Sequence, residues 1–344
     1  MLEVINHTPL ESRLFPSLDV SGYDYATIVM KGNFTISDAS KNLVFNEEPA
    51  EIFEADVYFG ETNESSVRYE SDTSMYKRRS DIVINGHAYA PAGRKVSSVD
   101  AIVKVANKQK TCRVTGDRYW EKSTRSVMSW NMSQPQTFEK MPIVYERAFG
   151  GIDLETLDTD SPEFSPHNPI GTGFLGDKSK QIEGIVIPNI EDPRYLISDY
   201  KDKPPVSGFG FISRSWQPRM ALAGTYDDKW MQERNPLLPL DFNDNYFNGA
   251  HPDLICDGVL QGGEAVSLAN LSENGLMEFN LPVWNEKVVV SIKGKKQEFK
   301  PSLDTVVIEP DIRNVMITWR VTVPCYKQFL YLDSVKIGKK RQHG

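Results

Sequence analysis

The clearest apolar segments of the chain alternate with a period of two. In Asn314–Val323, the residues Val315, Ile317, Trp319, Val321 and Val323 alternate with Met316, Thr318, Arg320 and Thr322, which predicts a strand with one buried face. Val99, Ala101, Val103 and Val105 alternate with Asp100, Ile102, Lys104 and Ala106. Asn107-Lys108 then reads as a turn into a second strand carrying Cys112 and Val114. Tyr25–Ile36, rich in β-branched and aromatic residues, is another strand. Lys287–Lys293 and Gln297–Lys300 flank Gly294-Lys295 as a late hairpin, and Asp81–Ile84 meets the turn dipeptide Asn85-Gly86. These patterns predict a mainly β fold of packed antiparallel sheets, sandwich-like, with few short helices.

Residues 151–250 break the pattern. They are crowded with Pro, Gly, Asn and Asp, as in Ser165-Pro166-His167-Asn168-Pro169, Lys203-Pro204-Pro205 and Asn235-Pro236-Leu237-Leu238-Pro239. The same stretch carries Phe209, Phe211, Trp216, Trp230, Phe242 and Phe247, rings that flexible linkers lack. It reads as a loop-rich but ordered insert, pinned to the core by its aromatic side chains. One short helix is expected there, capped by Thr225, with Asp228 in its first turn and its end near Arg234, ahead of Pro236. The domain expectation is one β-rich unit over residues 1–335. Residues 336–344, with Lys339, Lys340 and Arg341, read as a mobile basic tail.

Composition narrows the class. With 344 residues, 40% of them hydrophobic, the chain can bury a sizeable core. A net charge of −8 argues against a general nucleic-acid binder. Residues 1–60 hold ten acidic and three basic side chains, whereas residues 285–344 hold six acidic and twelve basic. The two ends are expected either to pack together or to offer opposite charges to different partners. No signal-peptide pattern and no run of about 18 apolar residues is read. Cys112, Cys256 and Cys325 are far apart and odd in number, so a disulfide framework is not expected. Together these features predict a soluble, cytoplasmic protein.

The chemistry-bearing residues form no strong motif. Among His7, His87, His167, His251 and His343 there is no His-x-x-x-His pair, and there is no Cys-x-x-Cys. The nearest metal candidate is His251 with Asp253, Cys256 and Asp257, but Pro252 points to a turn and Cys256 to a small core residue. No Gly-x-Ser-x-Gly elbow exists. Gly171-Thr172-Gly173 lacks a following Lys-Ser/Thr helix, and Gly262-Gly263 precedes Glu264, an acid that would repel phosphate. The carboxylate pairs Asp158 with Asp160 and Asp227 with Asp228 suit turns and caps better than acid–base work. Arg147, between aromatics and two glycines, reads first as a buried structural cation paired with a carboxylate and second as a recognition residue. No metal, cofactor or catalytic set is expected, and protein binding is the function class that remains.

An ordered series of segments runs through Tyr145-Glu-Arg-Ala-Phe-Gly-Gly151, Asn168-Pro-Ile-Gly-Thr-Gly-Phe174 and Ile187-Pro-Asn-Ile-Glu-Asp-Pro193. Gly208-Phe-Gly210, Trp216-Gln-Pro-Arg219 and Ala223-Gly-Thr-Tyr-Asp-Asp-Lys-Trp230 follow, then Pro239-Leu-Asp-Phe242, Ala250-His-Pro-Asp253 and Gly262-Gly-Glu264. In this order they resemble the bacterial domain-of-unknown-function family 2169. The Asn6-x-Thr-Pro9 start and Phe279-Asn-Leu-Pro282 fit as well, so the resemblance covers roughly residues 1–300. It implies an accessory protein of the type VI secretion system. Such a protein would be a non-enzymatic cytoplasmic chaperone or adaptor that helps load an effector onto the VgrG spike, through a PAAR-type tip domain. The residues taken as partner-binding candidates are Arg147, Arg219, Asp227, Trp230 and His251, with internal packing as the competing reading for Arg219 and Trp230. The competing functions are a hydrolase acting through loop carboxylates and a structural component of the secretion apparatus.

Overall fold

A computed structural model describes residues 3–37, 40–124, 129–157, 159–177 and 179–339. The fold is mainly β. Three larger sheets share one hydrophobic core, to which Met30, Ile82, Val103, Val266, Val290 and Ile317 all contribute.

The six-stranded sheet is centred on two long strands, Asp24–Ile36 and Asn314–Pro324, which pair antiparallel from Tyr25–Pro324 to Thr35–Asn314. Glu11–Leu18 and Leu43–Phe45 pair with the first of these, and Ser302–Glu309 with the second. Asp81–Ile84 joins parallel to Ser302–Glu309, so this sheet is mixed rather than purely antiparallel. The five-stranded sheet runs in the order Ile190–Glu191, Lys108–Thr115, Ser98–Val105, Ala265–Ala269 and Leu276–Asn280, each pair antiparallel. A four-stranded sheet brings the two ends of the chain together. Glu3–Asn6 lies parallel to Leu332–Ile337, followed by Val288–Ile292 and Lys295–Phe299. The last strand therefore reaches Ile337, two residues into the stretch expected as a tail; residues 340–344 lie outside the described residues.

The two hairpins predicted from alternation are present, each with its turn one residue earlier than the sequence dipeptide suggested. Val105 pairs with Lys108, which leaves Ala106-Asn107 as the loop, and Ala106 takes φ 50°. Ile292 pairs with Lys295, so the second loop is Lys293-Gly294, with φ of 49° and 72°. Two positive φ values are what a tight hairpin matching the strand twist requires. Asn85-Gly86 does not return the chain onto Asp81–Ile84. The next strand, His87–Tyr89, pairs with Lys140–Pro142 instead.

The larger departure from the alternation pattern lies in Asn314–Pro324, which is buried on both faces. Its apolar face enters the core as predicted. Its other face, with Thr318 and Arg320, is covered by the segment around residues 66–81 and by the insert, and a buried ionic network forms between them. Arg320 Nε donates to Asp304 at 2.5 Å, and its Nη1 donates to the carbonyls of Asp72 and Ser74. Lys31 pairs with Asp72 at 2.8 Å and Lys77 with Asp81 at 2.7 Å. Glu70 receives Arg219, Arg214 at 3.2 Å and Lys77 at 3.5 Å. Burial alone would raise the Glu70 carboxyl, but Arg219, Lys77 and Arg214 bring it down to about 2.

Within the insert, Phe209, Phe211 and Trp216 are buried in the main core, as the ring content suggested. The Trp216 ring stands edge-on to Tyr145 at 5.5 Å. A second, smaller apolar cluster of Trp120, Phe149, Ile182, Ile187 and Ile197 anchors the start of the insert. The helix is Asp228–Glu233, ending at Arg234, but its cap is Asp227, whose carboxylate accepts from Trp230 N at 2.8 Å. Thr225 instead donates its hydroxyl to Asp241 at 2.7 Å.

Because a cation removed from a buried pair leaves an uncompensated charge, Arg320→Met is expected to lower unfolding free energy by about 3–5 kcal/mol. Arg13→Ala, at the exposed pair with Glu54, should cost about 1 kcal/mol or less. Urea titration of both variants checks this, and equal losses would contradict a structural role for the network.

Candidate functional site

The insert, Phe149 and the turn His251–Asp253 line a cleft of about 870 Å³. Its walls are built from proline-stiffened segments: Ser165-Pro166-His167, Asp192-Pro193-Arg194-Tyr195, Lys203-Pro204-Pro205-Val206, Gln217-Pro218 and His251-Pro252-Asp253. Proline fixes φ and removes a donor, so such walls hold their shape with few backbone hydrogen bonds. Phe149, Phe174 and Ile212 supply apolar lining. Phe149 and Phe174 lie 6.4 Å apart, and Lys203 Nζ sits 5.4 Å from the Phe174 ring. A second depression of about 520 Å³, lined by Asp100, Lys108 and Lys110, shares Asp192, Arg194, Pro252 and Asp253 with the first.

The ridge between the two hollows is ionic. Arg194 donates to Asp192 from both Nε, at 2.9 Å, and Nη2, at 2.6 Å, and its Nη2 also reaches Asp253 at 3.1 Å. Lys110, buried beneath, donates to the same Asp253 oxygen at 3.1 Å. The bond from Arg194 is the main cause holding the Asp192 carboxyl below its usual range. For Asp253, burial pushes upward, but Lys110, His251 and Arg194 outweigh it and the carboxyl is lowered. Both acids are therefore carboxylates near neutral pH, with cations already seated on them.

His251 ties the two walls together. Its Nδ1 accepts the N–H of Asp253 at 3.2 Å, capping the 3-10 turn Pro252–Leu254, and its Nε2 lies 3.1 Å from the carbonyl of Val206. With Nδ1 accepting, the proton belongs on Nε2 and is donated to Val206. Burial, followed by the charge of Lys110, depresses the imidazole to about 4, against the opposing pull of Val206 and Asp253. The metal reading of this stretch fails on geometry. Both ring nitrogens of His251 are engaged, and Asp257 is turned toward Lys108 at 2.6 Å and Asn107 at 3.0 Å. Among the described residues no group of three or more His, Cys, Asp or Glu side chains is placed to hold a metal ion.

The other sequence candidates scatter. Arg219 is buried, donating to Tyr246 O at 2.9 Å, to Ile212 O at 2.8 Å and to Glu70, so its reading as a partner-facing residue is overturned. It belongs to the ionic network. Arg147 is half-exposed, bound to Asn189 at 2.9 Å and Asp117 at 3.2 Å, which gives it the structural carboxylate pairing first read for it but not the burial. Asp227 and Trp230 stand together on a separate lobe, away from His251 in the chain. Trp230 Nε1 donates to Leu237 O at 2.8 Å, and its ring meets Tyr226 at 4.6 Å. Asp158 lies outside the described residues. The glycine loops are internally filled. The Glu264 carboxylate accepts the N–H groups of Gln261 and Gly262 at 2.7 and 2.9 Å, and a Cβ at Gly171 would strike the carbonyl of Ala148. Cys112 and Cys256 are both pushed up to about 11 by burial, which makes them poor nucleophiles.

Lys110, Asp192 and Arg194 were missed from sequence. The signal present was the Asp192-Pro193 end of one family segment. Nothing in the chain order joins it to Lys110, or to Asp253, 143 positions beyond that lysine.

The family model described as "Uncharacterized protein conserved in bacteria (DUF2169)" matches residues 21–320, and the chain belongs to that family. No curated protein and no solved structure matches it.

The depressed imidazole predicts a pH dependence. Above pH 6.5, His251 is neutral whether the chain is folded or unfolded, and its contribution is complete. As pH falls from 6.5 toward 4, the unfolded chain takes up the proton and the folded one does not, so stability drops by on the order of 3 kcal/mol. Unfolding free energy measured at intervals over that window should fall with a shallower slope in His251→Gln than in the wild type. Identical slopes would show that His251 titrates normally in the fold.

Proposed function

We propose that this member of the family is a non-enzymatic cytoplasmic chaperone or adaptor that helps load a type VI secretion effector onto the VgrG/PAAR spike. The observation that carries the protein-binding part of this reading is the proline- and aromatic-lined cleft of about 870 Å³. Its rings and pyrrolidines offer apolar contact to an inserted side chain, while Arg194 and Lys203 at its mouth are largely open to solvent. Walls made of proline segments and cross-braced by His251 are preorganised, so little ordering cost falls on the chain when a partner segment enters. The secretion-system part rests on the family resemblance.

The carboxylates of the cleft speak against the hydrolase alternative. A general acid needs a raised pKa, whereas Asp192 and Asp253 are both lowered and already hold Arg194 or Lys110. Glu191 is raised by burial, but it is buried and paired with Arg118.

The test is affinity capture of the tagged full chain from its native bacterium, followed by mass spectrometry, alongside a Pro205→Asp variant that places a charge in the cleft wall. Recovery of a VgrG- or PAAR-containing protein or an effector with the wild type, and its loss with a folded variant, is the expected outcome. Recovery of no secretion component by a folded, abundant bait would overturn the adaptor reading. Stoichiometric retention in purified sheath, tube or spike would instead make the protein a structural part of the apparatus.

A further inference from the structure

The lobe from Met220 to Asn243 has a different surface from the cleft. It folds on itself around the short helix Asp228–Glu233. Thr225 is held to Asp241, Trp230 Nε1 to Leu237 O, and Asn243 N donates to Leu222 O at 2.9 Å. Arg234 fastens it to the rest of the molecule, donating to the carbonyls of Leu238 and Val20. With its indole and guanidinium turned inward, the lobe leaves large apolar side chains in solvent. Met220 is 47% exposed, Tyr226 53%, Met231 56% and Leu240 74%. Exposed apolar residues scattered singly need no explanation, but four large ones on one small lobe are a concentration of the kind an interface carries.

The exposed charges of the same lobe are mostly of one sign. Asp227, Asp228, Glu233 and Asp241 are exposed, and the only cations between Met220 and Asn243 are exposed Lys229 and the inward-bonded Arg234. Asp227 caps the helix by accepting from Trp230 N, and the Asp241 carboxyl is lowered by accepting from Thr225 N and Oγ1. A lobe that exposes methionine, leucine and tyrosine among carboxylates is complementary to a segment with apolar anchors and flanking lysines or arginines. It would repel an acidic one. Methionine side chains also adapt to anchors of varied shape.

We propose that the Met220–Asn243 lobe is an interface for a basic, amphipathic segment of a partner protein, separate from the cleft. The inference depends on the chain working by protein binding, but not on the type VI assignment. It gives Asp227 a role as an exposed charge beyond its helix cap, and it gives the acidic composition of the chain a local use.

The probe is a dye-labelled amphipathic helical peptide of leucine and lysine, about 15 residues long, with a leucine–glutamate peptide of the same pattern as its counterpart. Fluorescence anisotropy with the full chain should show the lysine peptide binding about tenfold or more tighter than the glutamate one. Asp228→Asn with Glu233→Gln, and separately Met231→Ser with Leu240→Ser, should each weaken the lysine peptide about tenfold. Both variants change exposed side chains, and unfolding curves report whether they remain folded. The control, Glu47→Gln with Glu48→Gln, removes two exposed acids elsewhere and should leave affinity unchanged. Wild-type affinity in both folded lobe variants, or an equal loss in the control, overturns the proposal in favour of diffuse attraction to an acidic protein. The bacterial capture experiment fails independently. Absent secretion components would defeat the adaptor reading while the peptide result still decides the lobe.

Discussion

The fold depends on matching charges across the polar face of its central sheet. Lys31 and Arg320 lie on neighbouring long strands, with Asp304 and Thr305 on the next, and all four are buried. A sheet face with that composition cannot be covered by an apolar layer, because each uncompensated ion would cost several kcal/mol. The covering chain has to bring partners, Asp72 for Lys31 and Lys77 for Asp81, and its own Glu70 is met by Arg214 and Arg219 of the insert. Desolvation offsets most of the Coulombic gain in such a network, so its main consequence is placement. Segments that could slide on an apolar face are fixed by where their charges must sit.

That placement reaches the surface through consecutive residues. Pro218 lines the cleft, Arg219 is locked in the network, and Met220 stands on the exposed lobe. One buried guanidinium therefore positions both candidate surfaces relative to the rigid sheet. The loop-rich insert is ordered for the same reason, with Trp216 and Phe211 in the apolar core and Arg214 and Arg219 in the ionic one. Loops pinned at both kinds of anchor can present concave and convex surfaces without secondary structure of their own.

Alternation made the strands legible, since period two follows directly from a pleat with one apolar face. The long strand Asn314–Pro324 shows where that signal ends. Its second face reads as polar and exposed, yet it is buried, because Arg320 there is satisfied by the Asp304 carboxylate on the adjacent strand and by the carbonyls of Asp72 and Ser74, 248 and 246 positions away in the chain. Arg219 was misjudged on the same ground: a lone arginine in a loop carries no mark of the Glu70 that claims it. The cleft was illegible for a related reason. Lys110, Arg194 and Asp253 meet only because the Lys108–Thr115 strand pairs with Ile190–Glu191 and packs beside the Pro252–Leu254 turn. The helix was placed correctly in the chain, but two acceptors competed for its cap. Asp227 took the position that Thr225 could have filled, while Thr225 closed the lobe onto Asp241.

The two surfaces differ in the charge they leave unscreened. At the cleft the exposed cations are already paired, Arg194 with Asp192 and Asp253 and Lys203 with exposed Asp177. On the lobe the exposed ends are carboxylates. A basic segment would be drawn to the lobe, whereas the cleft, with its charges paired, would select on apolar fit, so under the proposed protein-binding role the two surfaces would take different segments. Two identical faces would bind two copies of one segment, whereas two unlike faces would suit the proposed adaptor role. The frame is rigid because Pro218-Arg219-Met220 joins the surfaces without a linker, so occupancy of one leaves the other open and correctly oriented.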